Sequence, residues 1–379
     1  MNIKEVRNQF PHIAKGKIYF NHAAIGPLST PVVNKLNEYI YQRSEGSIDI
    51  YELFLNAQKN SKEKLAKILN VGPERISFVQ NVSSAISIIA QGLKWKVGDR
   101  IILNDMEFPS NVYPFLNLKS EGVEIDFVKS SNGAVQFDEI EKAVTRKTKL
   151  ISISLVQFVS GFRADVEKIG ELCKLKGIIF CIDGIQGIGV VDTDMQRYQA
   201  DFIAGGSQKW LMGLQGTSFF YISKDLQDKV EPKVVGWTSV VNAWNLLNYD
   251  LTLRENADRF QSGTMSAIGV CALNESLNLF TKIGMKNIEE QILSNTEYFN
   301  NKLLSIGVRP ILADAKRENL SGIVSFRHKK SEQIFTELGK RNIICSLREG
   351  VIRFSPHFYN TKEEIDFVID ELKLIISKL

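Results

Sequence analysis

Three polar residues stand where apolar runs stop. Asp183 ends "IIFCID", Gln186 follows in "DGIQG", and Lys209 comes shortly after "DFIAGG". In open α/β sheets ligands lie outside the carboxyl ends of the strands, so chemistry is expected at such positions. Each residue also has an ordinary reading: Asp183 before Gly184 suits a turn, and Lys209 suits a surface lysine holding its ammonium in water. Together they admit more. A carboxylate and an amine at the ends of two buried strands, facing one pocket, meet the needs of a pyridoxal phosphate site. There a lysine amine forms a Schiff base with the aldehyde, and a carboxylate keeps the pyridine nitrogen protonated so that the ring accepts electrons from a carbanion.

The elements that must position these residues follow from periodicity. "DVEKIGELCKLKG" predicts a helix capped at Asp165, with Val166, Ile169, Leu172, Cys173 and Leu175 near helical spacing and a stop at Gly177. "IIFCID", "RIILND" (100–105), "KLISISL" (149–155) and "ADFIAGG" (200–206) predict strands buried on both faces. This alternation points to a doubly wound α/β domain. The pattern changes at "SGTMSAIGVCALNESLNLFTKIG" (262–284), which reads as a long helix entering a mixed α+β region. A boundary near Thr264 divides the chain into an N-terminal segment 1–20, a large domain 21–263 and a small domain 264–379. Near the C-terminus Thr361 and Glu364 form a capping-box pattern, and Ile365, Val368, Ile369, Leu372 and Ile376 mark the apolar face of a structural helix.

Composition excludes other classes. The 47 basic and 43 acidic residues are scattered through 379 positions, so no nucleic-acid partner is implied. No stretch approaches the roughly 18 uncharged apolar residues of a membrane span, and the N-terminus lacks the apolar core of a signal peptide, so a soluble cytoplasmic protein is expected. The four cysteines and four histidines are dispersed, which suggests neither a disulfide framework nor a metal site.

The run from Cys181 to Ile222, with acid, glutamine and lysine in order, resembles the signature of the class V aminotransferases. These are pyridoxal-phosphate enzymes of fold type I, a family that includes cysteine desulfurases, selenocysteine lyases, kynureninases and isopenicillin N epimerase-like proteins. The resemblance extends from "IYFNHAAIGPL" (18–28) to "IRFSPHFYNTKEEID" (352–366). It implies an α/β fold with a large pyridoxal-phosphate-binding domain, built on a mostly parallel seven-stranded sheet, plus a smaller C-terminal α+β domain. It also implies pyridoxal 5'-phosphate as cofactor, a small-molecule amino-acid substrate and a homodimer.

Carried over by position, Lys209 is implied as the Schiff-base lysine and proton shuttle, Asp183 as the pyridine-nitrogen partner, and Gln186 as a donor near the phenolic oxygen. Asn81, Val82 and Ser83 in "FVQNVSSAISIIAQGL" match the phosphate-binding turn, although the same residues suit an ordinary N-cap. Ser207 or Gln208, after Gly206, matches further phosphate contacts. In "NDMEFPSNVYPF" Phe108 takes the place of the ring laid over the cofactor and Asn111 that of a nearby polar contact. Thr264, after Gly263, matches a threonine that reaches the phosphate across the dimer interface. Arg353 matches the arginine that grips the substrate carboxylate. Ala23 and Ala24 match the loop lining the pocket mouth.

The departures narrow the chemistry. Cysteine desulfurases carry a nucleophilic cysteine on a loop between the equivalents of Arg348 and Arg353, but here only Glu349, Gly350, Val351 and Ile352 intervene. Cys345 lies upstream in an apparent strand and reads as a core thiol. Phe108 stands where desulfurases have histidine, and Phe158 where many have asparagine, with Gln157 beside it. These features disfavour persulfide-forming desulfuration, and the resemblance to the family's subgroup implies lyase or epimerase-like chemistry on a small amino acid or an amino-acid-derived thioether. A true aminotransferase and a non-catalytic pyridoxal-phosphate binder are the alternatives. A nicotinamide site fits less well, because the glycines at 184, 187 and 189 do not follow the G-x-G-x-x-G order.

Overall fold

The computed structural model describes residues 3–379; Met1 and Asn2, the start of the 1–20 segment, lie outside the described residues. Apolar residues alternate between two covered faces along its central strands. Ile151, Ile153, Phe180, Ile182 and Ile203 join one core, while Leu150, Ile179, Cys181, Phe202 and Ala204 join another. Successive strand residues point to opposite faces, so a continuous apolar run is what a sheet covered on both sides requires.

After a short β1 (Ile18–Tyr19), the main sheet comprises β2 (Ile76–Val79), β3 (Arg100–Asn104), β4 (Glu124–Val128), β5 (Thr148–Ser154), β6 (Ile179–Asp183), β7 (Phe202–Gly206) and β8 (Ser218–Ile222). Its seven strands lie in the order β2-β8-β7-β6-β5-β3-β4. The run from β4 to β7 is parallel, and β8 pairs antiparallel with both β7 and β2. The fold is thus the mostly parallel α/β arrangement expected. Its parallel strands end on one edge, which gathers the segments after β3, β5, β6 and β7.

Capping explains where the helices start. Asp165 accepts from the Lys168 amide to open Val166–Lys176, and Gly177, at φ 66°, closes it. The helix read from residue 262 begins instead at Ala267, because the Ser266 side chain accepts from the Gly269 amide and caps it there. That helix, Ala267–Ile283, packs on the helices Thr30–Ser44 and Tyr51–Leu69, and its Val270, Leu273, Leu277 and Phe280 join the first of the two sheet cores.

The C-terminal part holds β9 (Val324–Arg327), β10 (Ile343–Ile344), β11 (Ser346–Arg348) and β12 (Val351–Phe354). Strands β11, β12 and β9 form an antiparallel sheet, and β10 pairs with β1 in parallel. A separate core of Phe299, Val324, Phe326, Ile352, Phe354, Val368 and Leu372 also takes in Phe20 from the N-terminal segment. The helix Lys362–Ser377 opens with the reciprocal Thr361–Glu364 capping box. Between β11 and β12 only Glu349 and Gly350 turn the chain, at φ 48° and 72°. Two residues of positive φ make the tight hairpin connection that matches strand twist.

Among the described residues no helix is long and apolar enough to cross a membrane, and no group of three His, Cys, Asp or Glu is placed to hold a metal ion.

Candidate functional site

The register of the sheet places the first two residues of the site. Asp183 ends β6 opposite Ser154 of β5 and Ala204 of β7, so it is flanked by strands on both sides and is buried. Its Oδ1 accepts from the Ile185 amide at 3.0 Å. Burial pushes the carboxyl up to about 6; the Ile185 hydrogen bond opposes the rise, the charge of Glu107 adds to it, and Lys209 counters it.

Lys209 lies three residues beyond the end of β7. Burial lowers its ammonium to about 8; Asp183 pulls it back up, while Arg353 and Arg348 push it further down. Its Nζ lies 5.6 Å from the centroid of the Phe108 ring, and no described residue gives it a hydrogen bond or an ion pair. The loop around it is held tightly. The Gly26 amide donates to Gln208 O at 2.7 Å, and a Cβ at Gly26 would stand 2.2 Å from Lys209 O. Only glycine allows that approach.

Arg353, in the middle strand of the C-terminal sheet, is buried. Its Nη1 donates to Phe158 O at 2.5 Å and its Nε to Ser346 Oγ at 3.2 Å, and no carboxylate among the described residues pairs with it. Burial, reinforced by Arg348, lowers it to about 10. A buried guanidinium without a carboxylate is costly unless an anion arrives. Phe158 joins this group to the opposite wall, since its ring meets Phe108 edge-on at 5.2 Å. Phe108 itself is 41% exposed, unusual for a phenylalanine lodged between such groups.

Asn81, Val82 and Ser83 open the helix Val82–Gly92. Asn81 caps it by accepting from the Ser84 amide at 2.9 Å, and Ser83 Oγ donates to Ser110 Oγ at 2.9 Å, which ties the helix start to the Phe108 loop. Ser207 is fully buried and its hydroxyl donates to the Leu214 carbonyl, so that proton is used within the loop; Gln208 Oε1 is buried without a partner. Gln186 Oε1 accepts from the Trp210 indole at 2.8 Å and Nε2 donates to Ala23 O at 3.0 Å, which leaves one amide hydrogen. Asn111 is likewise committed, donating to Glu107 at 3.0 Å and accepting from Ser152 at 2.6 Å. Ala24 is part-exposed in the loop after β1, next to Ala23. Thr264 is exposed, and no described residue of this chain bonds to its side chain.

Sequence reasoning missed two groups. Glu107, buried beside Asp183, carries a cluster of five hydrogen bonds. His22 and His357 are buried behind the lysine loop. The His22 Nδ1 faces Ser355 O at 2.9 Å and its Nε2 faces Tyr359 Oη at 2.7 Å, while His357 Nε2 faces the Trp210 carbonyl at 2.9 Å. A ring nitrogen facing a carbonyl must carry a proton, which fixes it on His22 Nδ1 and His357 Nε2, and the Phe358 amide donates to His357 Nδ1 at 2.8 Å, so that ring is neutral. His22 ties the N-terminal segment to the C-terminal one, and His357 ties the latter to the lysine loop. Burial lowers His357 to about 4 and His22 well below the ordinary range.

Known proteins share this architecture. The model of the aminotransferase class-V family matches residues 18–368. A probable cysteine desulfurase of Methanothermobacter thermautotrophicus is 29% identical, covering 99% of this chain and 98% of its own length. An uncharacterized aminotransferase of Bacillus subtilis, YcbU, is 28% identical over 82% of each chain. The apo structure of a cysteine desulfurase from Thermococcus onnurineus NA1 superposes with a TM-score of 0.89 at 23% identity, covering 99% of this chain and 98% of that one.

Proposed function

Because the chain belongs to the aminotransferase class-V family, we propose that it is a pyridoxal-phosphate enzyme acting on a small amino acid or an amino-acid-derived thioether, by lyase or epimerase-like chemistry at Lys209. One observation carries the reading. A half-buried lysine stands in electrostatic reach of both a buried carboxyl and a buried guanidinium, with no ion pair among them. Such an arrangement is unfavourable in an empty protein and fits one that waits for a ligand.

The residues suit the cofactor. Lys209 is the attachment point for its aldehyde, Asp183 the partner of its pyridine nitrogen, and Phe108 the exposed ring available for stacking. The Val82 and Ser83 amides at a helix start, with the Ser83 hydroxyl and the Gln208 amide, suit a phosphate. Bound pyridoxal phosphate supplies an electron sink that stabilises negative charge at the substrate's α-carbon.

The chain's own groups do the remaining work. Arg353 Nη atoms hold the substrate carboxylate by a charge-assisted fork and so fix the α-carbon. Lys209 Nζ takes the proton from that carbon. Lowered to about 8, it is the free amine in a larger fraction near neutrality than an ordinary lysine would be. Returning the proton to the opposite face, or expelling a group from the β-carbon, separates epimerase-like from lyase outcomes. The two-residue turn Glu349–Gly350 leaves no loop for a nucleophilic cysteine near Arg353, which argues against protein persulfide chemistry.

A second copy of the chain is part of this reading. Trp244, Leu247, Tyr249 and Leu251 are 67%, 87%, 92% and 68% exposed, too much apolar surface for a lone subunit. The neighbouring residues Thr238 and Ser239 hold Gln261 O, so this surface is continuous with the segment bearing Thr264. Thr264 reaches the partner's site in the homodimer.

The reading is tested by a spectral screen of the protein loaded with pyridoxal phosphate against amino acids and cysteine conjugates, followed by product analysis. Formation of an α-keto acid with release of a thiol or sulfide supports lyase chemistry. Loss of optical activity without cleavage supports the epimerase-like branch. Half-transamination of the cofactor as the main outcome would move the assignment to a true aminotransferase.

A further inference from the structure

Glu107 accepts five hydrogen bonds from four residues on two stretches of chain. Its Oε1 receives the Asn104 side-chain amide from the end of β3, the Ser154 backbone amide of β5 at 2.8 Å, and Gln157 Nε2 at 3.1 Å. Its Oε2 receives Ser154 Oγ at 2.5 Å and Asn111 Nδ2 at 3.0 Å. No lysine or arginine among the described residues pairs with it. A buried carboxylate ringed by donors alone is held as an acceptor in one orientation.

Its position links parts of the site that are remote in sequence. Phe108, the exposed ring 5.6 Å from Lys209 Nζ, is the next residue. Gln157, one of the five donors, precedes Phe158, whose carbonyl receives Arg353 Nη1. Ser154, which donates twice, sits opposite Asp183 in the sheet register.

We propose that Glu107 is a positioning residue for this site: its carboxylate fixes the backbone that presents Phe108 and the Phe158 carbonyl that orients Arg353, and it places a fixed negative charge one strand from Asp183. The charged groups acting on the pair are few. Glu107 faces Asp183 from the β5 side and Lys209 faces it from the loop after β7, while Arg353 and Arg348 act on Lys209. Removing a negative charge lowers the proton affinity of every neighbour, so the direction of the effect does not depend on which of them titrates.

The proposal deepens the cofactor reading above and separates from it experimentally. Two quantities are measured. One is the pH midpoint of the absorbance of protein loaded with pyridoxal phosphate. The other is the affinity for propionate by calorimetry, which needs no cofactor. Glu107→Gln should lower the midpoint by about half to one unit and weaken propionate several-fold. Glu107→Asp keeps the charge but withdraws from its donors, so the midpoint should stay and propionate should weaken. A Glu107→Gln protein, folded by circular dichroism, with wild-type midpoint and wild-type propionate affinity overturns the proposal. Where that variant does not fold, Gln157→Ala decides: weaker propionate at an unchanged midpoint supports it, and unchanged propionate overturns it. Wild-type protein that takes no pyridoxal phosphate contradicts the cofactor reading, and the propionate arm still decides the role of Glu107.

Discussion

Asp183 and Lys209 follow neighbouring parallel strands at one edge of the sheet, and burial moves their proton affinities toward each other, to about 6 and about 8. Both shifts oppose ionisation, so near neutrality the apoprotein bears one buried and one half-buried charge that the unfolded chain would hold in water.

That relationship sets the pH dependence of stability. Asp183 is raised from 3.8, so the unfolded chain releases this proton first and apoprotein stability falls as pH rises between about 4 and 6. Lys209 is lowered from 10.5, so the folded chain releases its proton first and stability rises between about 8 and 10.5. Thermal unfolding of apoprotein against Lys209→Met should show the alkaline rise in the wild type and its absence in the variant. Parallel profiles above pH 8 would contradict the shift assigned to Lys209.

Arg353 should separate binding from chemistry. Arg353→Lys keeps a charge but loses the fork, and KM for the amino-acid substrate should rise roughly 100-fold with a smaller effect on kcat. Arg353→Met should raise the melting temperature of the apoprotein, because a buried cation without a carboxylate partner is removed. A lower KM or a less stable apoprotein would count against Arg353 as the carboxylate anchor.

The thiols should be spectators. All four cysteines are buried, and burial pushes Cys345 up to about 12, leaving no thiolate for nucleophilic attack near neutrality. Cys345→Ala should leave turnover unchanged while costing about 1 kcal/mol of stability. Loss of activity in a folded Cys345→Ala protein would reinstate a persulfide route.

Thr264 should act in trans. Mixing Lys209→Ala subunits with Thr264→Ala subunits creates mixed dimers in which one site has both an intact lysine and an intact partner threonine. Tight cofactor binding and activity should reappear on mixing and be absent from the Lys209→Ala homodimer. Mixing that restores nothing, with dimers verified by light scattering, would place Thr264 outside the site.

The strands and the residues at their ends were legible because burial on both faces leaves continuous apolar runs, and the polar residue that breaks each run marks the sheet edge. Asp183 and Lys209 were found in this way. The start of the helix at Ala267 was missed because its apolar pattern extends upstream, whereas the Ser266 cap decides where it begins. Glu107 left no signal. A glutamate in a loop after a strand is ordinarily solvated, and only the tertiary convergence of Asn104, Asn111, Ser154 and Gln157 makes it a buried acceptor. The two histidines were hidden for the same reason: their partners Ser355, Tyr359 and Trp210 lie far away in sequence or on another segment.

The central claim is that Lys209 carries the cofactor, and reductive trapping tests it most directly. Purified protein incubated with pyridoxal phosphate should turn yellow. Borohydride reduction followed by peptide mass mapping should place the added pyridoxyl group on the peptide containing Lys209 and nowhere else. Protein that stays colourless with added pyridoxal phosphate, or a label on a different lysine, would contradict the account.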